Sequence, residues 1–188
     1  MVKLYSFVFV LFFSLISAVQ MSSAQTTVTF ESAKSLHDKA REGDEEAAEQ
    51  AVDAFTSLVK AEPKNALALA YLGSSYAISA REASVVTNKI RYTNRGLRYL
   101  DQAIVLAPQN FVVRLIRANV TSNLPSMFGR GDTALEDMLL LDQLYSAAPT
   151  PRLAGPMLGI YAKLEDAAPK ESDWADKAAQ AKALLAGK

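Results

Sequence analysis

From residue 30 onward, apolar residues recur at the three-to-four-residue spacing of a helix, and the strict alternation of a strand is hard to find. Glu45–Lys60 shows the pattern well: Ala48, Ala51, Val52, Phe55, Leu58 and Val59 form one stripe, with charged residues on the other side. Pro63 then stops the helix, because proline lacks the backbone N–H and its ring clashes with the preceding turn. The same reading predicts helices over 30–41, 44–61, 65–83, 88–107, 110–123, 131–147, 151–165 and 171–186. The expected fold class is all-α, with antiparallel helix hairpins stacked as a short solenoid. The last helix carries the single tryptophan, Trp174, in a row with Ala178, Ala181 and Leu185. It is expected to cover the exposed end of the array.

Internal repetition sharpens this picture. Two turns are alike, Ala61-Glu62-Pro63-Lys64-Asn65 and Ala107-Pro108-Gln109-Asn110, each with an asparagine placed to cap the following helix. Ahead of them run matching ladders: Ala51, Phe55, Leu58, Pro63 and Gly96, Leu100, Ala103, Pro108. A small residue lies ten positions after each of three prolines: Gly73 after Pro63, Ala118 after Pro108 and Gly159 after Pro149. Small residues there would let the helices of a hairpin cross closely.

These residues resemble the tetratricopeptide-repeat family. Its pattern of W-x2-L-G-x2-Y, then A-x3-F, then Pro is met by Leu69-x2-Leu72-Gly73-x2-Tyr76, by Ala51-x3-Phe55 with Pro63, and by Gly96-x3-Leu100 with Pro108. A weaker copy is Ala134-x3-Met138 with Pro149. The resemblance spans about 45–165 and the repeats are degenerate: Pro63 and Pro108 are 45 residues apart, where the family period is about 34. The excess is expected around 82–92 and again around 124–131, and Arg117 stands where the family prefers leucine. On period alone a HEAT-like or other αα-hairpin solenoid stays open. The chain also resembles exported bacterial repeat proteins with an Asn-Leu-Pro-x-x-Phe-Gly-Arg element, here 123–130. The family resemblance implies a protein- or peptide-binding groove lined by the first helix of each hairpin. Tyr71, Ser74, Asn119 and Asn123 would lie in it. The Lys/Asn clamp that some members use for C-terminal carboxylates is not implied, since Ala70 and Ser74 occupy its positions.

The first thirty residues are of another kind. Lys3 precedes an apolar run at 4–19, followed by Ser22-Ser23-Ala24. This is the layout of a secretory signal peptide, with cleavage expected after Ala24. Sixteen residues fall short of the ~20 that a spanning helix needs. The domain division expected is therefore a signal peptide at 1–24 and one helical repeat domain at 25–188, periplasmic or secreted. An uncleaved segment would instead hold a structural or assembly factor at the envelope, the one route to membrane association.

Charge is unevenly spread. Residues 31–62 carry nine acidic and four basic side chains, net −5; 63–130 carry nine basic and two acidic, net +7; 131–188 are net −3. The near-neutral total argues against nucleic acid as a general partner. Arg91, Arg95 and Arg98 fall on one helical stripe, and Arg114 and Arg117 on the next helix. Together they are candidates for gripping an anionic group, or for pairing with Asp101 and the acidic residues of 31–62.

Candidate chemistry is otherwise sparse. The chain has no cysteine and one histidine, His37, expected to sit at or near the surface of the first helix. No nucleophile elbow, phosphate-binding loop or metal-binding helix motif is present. Glu42-Gly43-Asp44-Glu45-Glu46 reads as an acidic helix start that complements the helix dipole. Phe128-Gly129-Arg130-Gly131 reads as a turn, with Asp132 capping the helix after it. Tyr71, Tyr76, Tyr92 and Tyr99 are expected as core and groove-wall residues. The function expected is a non-catalytic scaffold without cofactor or metal, binding a protein or peptide partner.

Overall fold

The computed structural model describes residues 28–170 and 172–187. The expected signal segment lies outside the described residues. Eight α-helices follow one another: α1 (Phe30–Arg41), α2 (Glu45–Ala61), α3 (Ala66–Glu82), α4 (Val86–Leu106), α5 (Phe111–Thr121), α6 (Gly131–Ala147), α7 (Pro151–Ala167) and α8 (Trp174–Ala186). A short 3-10 turn, Ser126–Phe128, interrupts the α5–α6 connection. Helix accounts for 81% of the described residues, and no strand occurs among them. The helices pair as antiparallel hairpins, α1–α2, α3–α4, α5–α6 and α7–α8, each packed on the next. This is the stacked-hairpin solenoid that the spacing predicted.

The helix starts follow from side-chain chemistry. Asp44, Asn65, Asn110 and Asp173 each accept a hydrogen bond from the first turn of the following helix. Thr29 and Ser32 form a reciprocal capping box on α1. Each such cap contributes about 1 kcal/mol. α4, α6 and α7 begin with no side-chain cap, and on α6 Asp132 lies inside the first turn rather than ahead of it. There the left-handed Gly129, at φ 61°, makes the turn.

The departures from the family period have two different causes. In the second hairpin the connection is only 83–85, and the extra length is in α4 itself, which runs for 21 residues. In the third hairpin α5 is short, at 11 residues, and the extra length is the irregular connection 122–130 around the 3-10 turn.

The α3–α4 hairpin is closed at two glycines. A Cβ on Gly96 would lie 2.6 Å from the carbonyl oxygen of Gly73; one on Gly73 would lie 2.8 Å from that of Gly96. The two backbones touch, and Leu100 fills the space alongside. Ala118 is fully buried, as expected of the equivalent residue on α5. Gly159 is not equivalent: it is exposed, with nothing near the place of its missing Cβ. The connection explains why. α3 and α5 start three residues after their prolines, behind an asparagine cap, whereas α7 starts two residues after Pro149, with Pro151 in its first turn. Counting ten from the proline therefore overshoots by one, and Leu158 stands at the position of Gly73 and Ala118.

Two substitutions separate these environments. Gly96→Ala should destabilise the protein by at least about 1–3 kcal/mol, because its methyl meets backbone that cannot yield. Gly159→Ala should instead stabilise it by about 0.5–1 kcal/mol through helix propensity alone. Urea denaturation of both variants checks the register; a destabilised Gly159→Ala would overturn it.

Candidate functional site

Aligning the helix starts shows how α5 differs from its neighbours. Leu69, Leu72, Gly73 and Tyr76 face inward on α3, and Ala154, Met157 and Tyr161 do so on α7. At the same places α5 carries Arg114, Arg117, Ala118 and Thr121, all buried. A guanidinium in such a position needs an anion, and α6 supplies it. Asp137, fully buried, accepts from Arg114 Nη1 at 2.5 Å, from Arg117 Nε at 2.7 Å and from Arg117 Nη2 at 2.9 Å. Arg114 also donates to the carbonyl of Pro108 and to Glu136. The network continues into α4: Asp101 accepts from Arg117 and takes a two-pronged contact, 2.8 and 3.2 Å, from Arg130. Arg114 and Arg117 are thus interior residues and do not form an accessible stripe. Arg117 stood out as a departure in the sequence; the missed signal was that two arginines at inward positions require a buried carboxylate.

A second buried carboxylate, Asp142, links the last three helices. It accepts from the Tyr161 hydroxyl at 3.0 Å and from Lys177 Nζ at 2.6 Å. Burial and the neighbouring Asp142 charge both raise the Tyr161 pKa, which keeps that phenol a donor. Trp174 stacks on Tyr161 and donates its indole N–H to Ala168, closing the end of the array as expected.

The groove positions on α3 are covered by the chain itself. α1 packs against α3. Tyr71 stacks on Phe55 at 5.2 Å between ring centroids and meets Phe30 and His37 edge-on. The Ser74 hydroxyl lies 2.9 Å from His37 Nε2. His37 is therefore a core residue, 4% exposed, rather than a surface one. Its Nδ1 is buried without a hydrogen-bond partner, 3.7 Å from Asp38. Burial lowers its pKa from 6.5 to about 4; Asp38 opposes that shift, and Arg41 and Lys34 add slightly to it. Asn119 on α5 and Asn123 just after it are exposed. Asn123 donates to the Asn119 carbonyl at 2.6 Å and, with Ser122, accepts from Lys163 on α7. Its amide is already engaged.

The α4 stripe is different. Arg91, Arg95 and Arg98 are exposed, and none has a carboxylate within 4.0 Å among the described residues. The Arg91 guanidinium lies 5.1 Å from the Tyr92 ring centroid and that of Arg95 5.0 Å from the Tyr76 ring centroid. Tyr76 in turn stacks with Tyr92 and Tyr99. Aromatic faces hold these guanidinium groups in place without neutralising them. The expected pairing with Asp101 does not occur, because Arg117 and Arg130 take that carboxylate; the acidic residues of 31–62 do not reach the stripe either.

Fold and surface together define a stacked-hairpin helical repeat protein with a basic outer helix. Among known proteins, no family model and no curated sequence matches the chain. Of solved structures, it is similar to that of TTC0263, a thermophilic TPR protein of Thermus thermophilus, at 22% identity and a TM-score of 0.49 over 81% of this chain and 82% of that one.

Two outcomes test the interior assignments. Asp137→Ala leaves two guanidinium groups buried without their partner and should cost about 3–5 kcal/mol, whereas replacing Arg114, Arg117 and Asp137 together with leucines should recover much of that loss. Thermal unfolding of the single and triple variants is the measurement. For His37 the neutral form is favoured in the folded state. Its contribution is present above pH 6.5 and is lost as pH falls toward about 4, amounting to at most about 3 kcal/mol. The difference in denaturation free energy between the wild type and His37→Gln should therefore narrow over that window; a constant difference would disprove it.

Proposed function

We propose that the chain is a non-catalytic scaffold, exported from the cytoplasm, that binds acidic stretches of polypeptide on the outer face of α4. One observation carries this reading. Arg114, Arg117 and Arg130 are committed to internal carboxylates, while Arg91, Arg95 and Arg98 stand exposed, without an anion, the first two ordered on tyrosine faces. Ordered guanidinium groups lose less freedom on binding than mobile ones and can grip carboxylates bidentately. The array closest to an acid–base set is Ser74, in the middle of α3, beside His37 and Asp38 of α1. The backbone N–H groups around Ser74 are taken up by the helix, so no donor pair is left there for an oxyanion. The apolar run at 4–19 with Ala24 supports export to the periplasm or beyond. The same run, if retained, supports the second reading of an envelope-anchored assembly factor. N-terminal sequencing of the exported protein distinguishes Gln25 from Met1.

Titration with a labelled oligoglutamate peptide tests the surface. Arg95→Glu with Arg98→Glu should weaken binding at least ~10-fold and flatten its salt dependence, with unfolding little changed because exposed charges contribute little to stability. Binding indifferent to both charge reversal and salt would remove the α4 surface from the proposal.

A further inference from the structure

The acidic residues of the first hairpin are themselves arranged on a surface. On α2, Glu46, Glu49 and Asp53 are exposed, and none has a cation within 4.0 Å among the described residues. Their positions are those of the arginines one repeat earlier. The ladders that place Ala51 with Gly96, Phe55 with Leu100 and Pro63 with Pro108 are offset by 45 residues, and all four of the helical residues among them are buried. The same offset places Glu46 with Arg91 and Asp53 with Arg98, and Glu49 one position from the match of Arg95. α2 and α4 are second helices of successive hairpins, so they run in the same direction, with α3 packed on both. Tyr76 of α3, whose ring lies 5.0 Å from the Arg95 guanidinium, is also within electrostatic reach of Asp53. An acidic stripe and a basic stripe thus lie side by side, at equal heights, and leave each other unpaired.

Such a surface is self-complementary. A two-fold axis parallel to the two helices exchanges the stripes while keeping every residue at its height, which is the condition for an isologous contact. We propose that the outer face formed by α2 and α4 pairs with the same face of a second copy of this chain, Glu46 and Asp53 of each meeting Arg91 and Arg98 of the other. This names the acidic partner of the α4 arginines and so rests on the scaffold reading above. Across the axis the stripes face each other, and both arginine contacts can become bidentate. The contact is charged throughout, so it is salt-sensitive and weak to moderate in strength.

Sedimentation velocity on the purified chain, expressed with its own N-terminal segment in the gene, reads the result. At about 50 mM salt the chain should form a dimer, and about 500 mM salt should weaken it at least ~10-fold. Arg91→Glu with Arg98→Glu should be monomeric, as should Glu46→Lys with Asp53→Lys, both retaining the wild-type helical dichroism. Mixed in equal amounts, the two variants should recover a dimer, because each now supplies what the other lacks. A mixture that stays monomeric overturns the pairing. So does a wild-type chain that is monomeric at low salt; if that chain still binds oligoglutamate through Arg95 and Arg98, the scaffold reading survives, and if it does not, both fall.

Discussion

Asp137 is the point on which the middle of the molecule depends. It is the fully buried carboxylate of α6, and two arginines of α5 converge on it where the neighbouring repeats place leucine, methionine or alanine. An apolar hairpin tolerates small slips, since dispersion contacts have no direction. A forked guanidinium bound through two nitrogens does not. The hairpin therefore gains a defined register from its ions, and the same network reaches α4 through Asp101 and the α5–α6 connection through Arg130. This also gives physical meaning to the stretch 123–130. Pro125 begins a 3-10 turn, Gly129 ends it in the left-handed conformation, and Arg130 is delivered to Asp101.

Because Asp101 is filled from the α5 side, the arginines on the outer side of α4 are left over. The exposed stripe and the buried network are two parts of one distribution of charge: the net +7 of 63–130 divides into cations spent on Asp101 and Asp137 and cations that face water. The glycine contact between α3 and α4 completes the arrangement. It draws the α4 backbone against α3, so that Tyr76, Tyr92 and Tyr99 stack across the seam, and Tyr92 and Tyr76 present their faces to Arg91 and Arg95.

Much of this fold was legible in the residues. Seven of the eight predicted helices end within about two residues of those observed, because their signals are local: an asparagine or aspartate cap, a proline stop, a periodic stripe. α8 begins three residues late, since Asp173 and not the preceding turn caps it. The misplaced Gly159 shows the limit of counting from proline, as one residue fewer in a connection shifts an entire helix by about 100°. His37 was harder. Its neighbours in sequence are charged, and only the crossing of α1 over α3, a long-range contact, buries it. The same crossing removes Tyr71 and Ser74 from the groove that the family resemblance implied. Arg114 and Arg117 resembled surface cations by residue type, and only their alignment with Leu69 and Leu72 shows which way they point.

The covering of α3 by α1 shifts where a partner can bind. In an array whose first helices line an open groove, the inner side chains are the available ones. Here the groove positions of the second hairpin are packed against Phe30, His37 and Phe55, and burying that aromatic cluster again with a partner would first require lifting α1 from it. The α5 positions are open but small, and Asn123 is held by Lys163. The outer helices carry no such obstruction. Their charges are already exposed, two of the α4 arginines are already oriented by aromatic rings, and neither stripe has to break an internal ion pair before meeting an opposite charge. The physical case for recognition on the outer face therefore rests on two independent features, second-hairpin groove positions covered by the first helix and an outer surface whose charges are left unmatched.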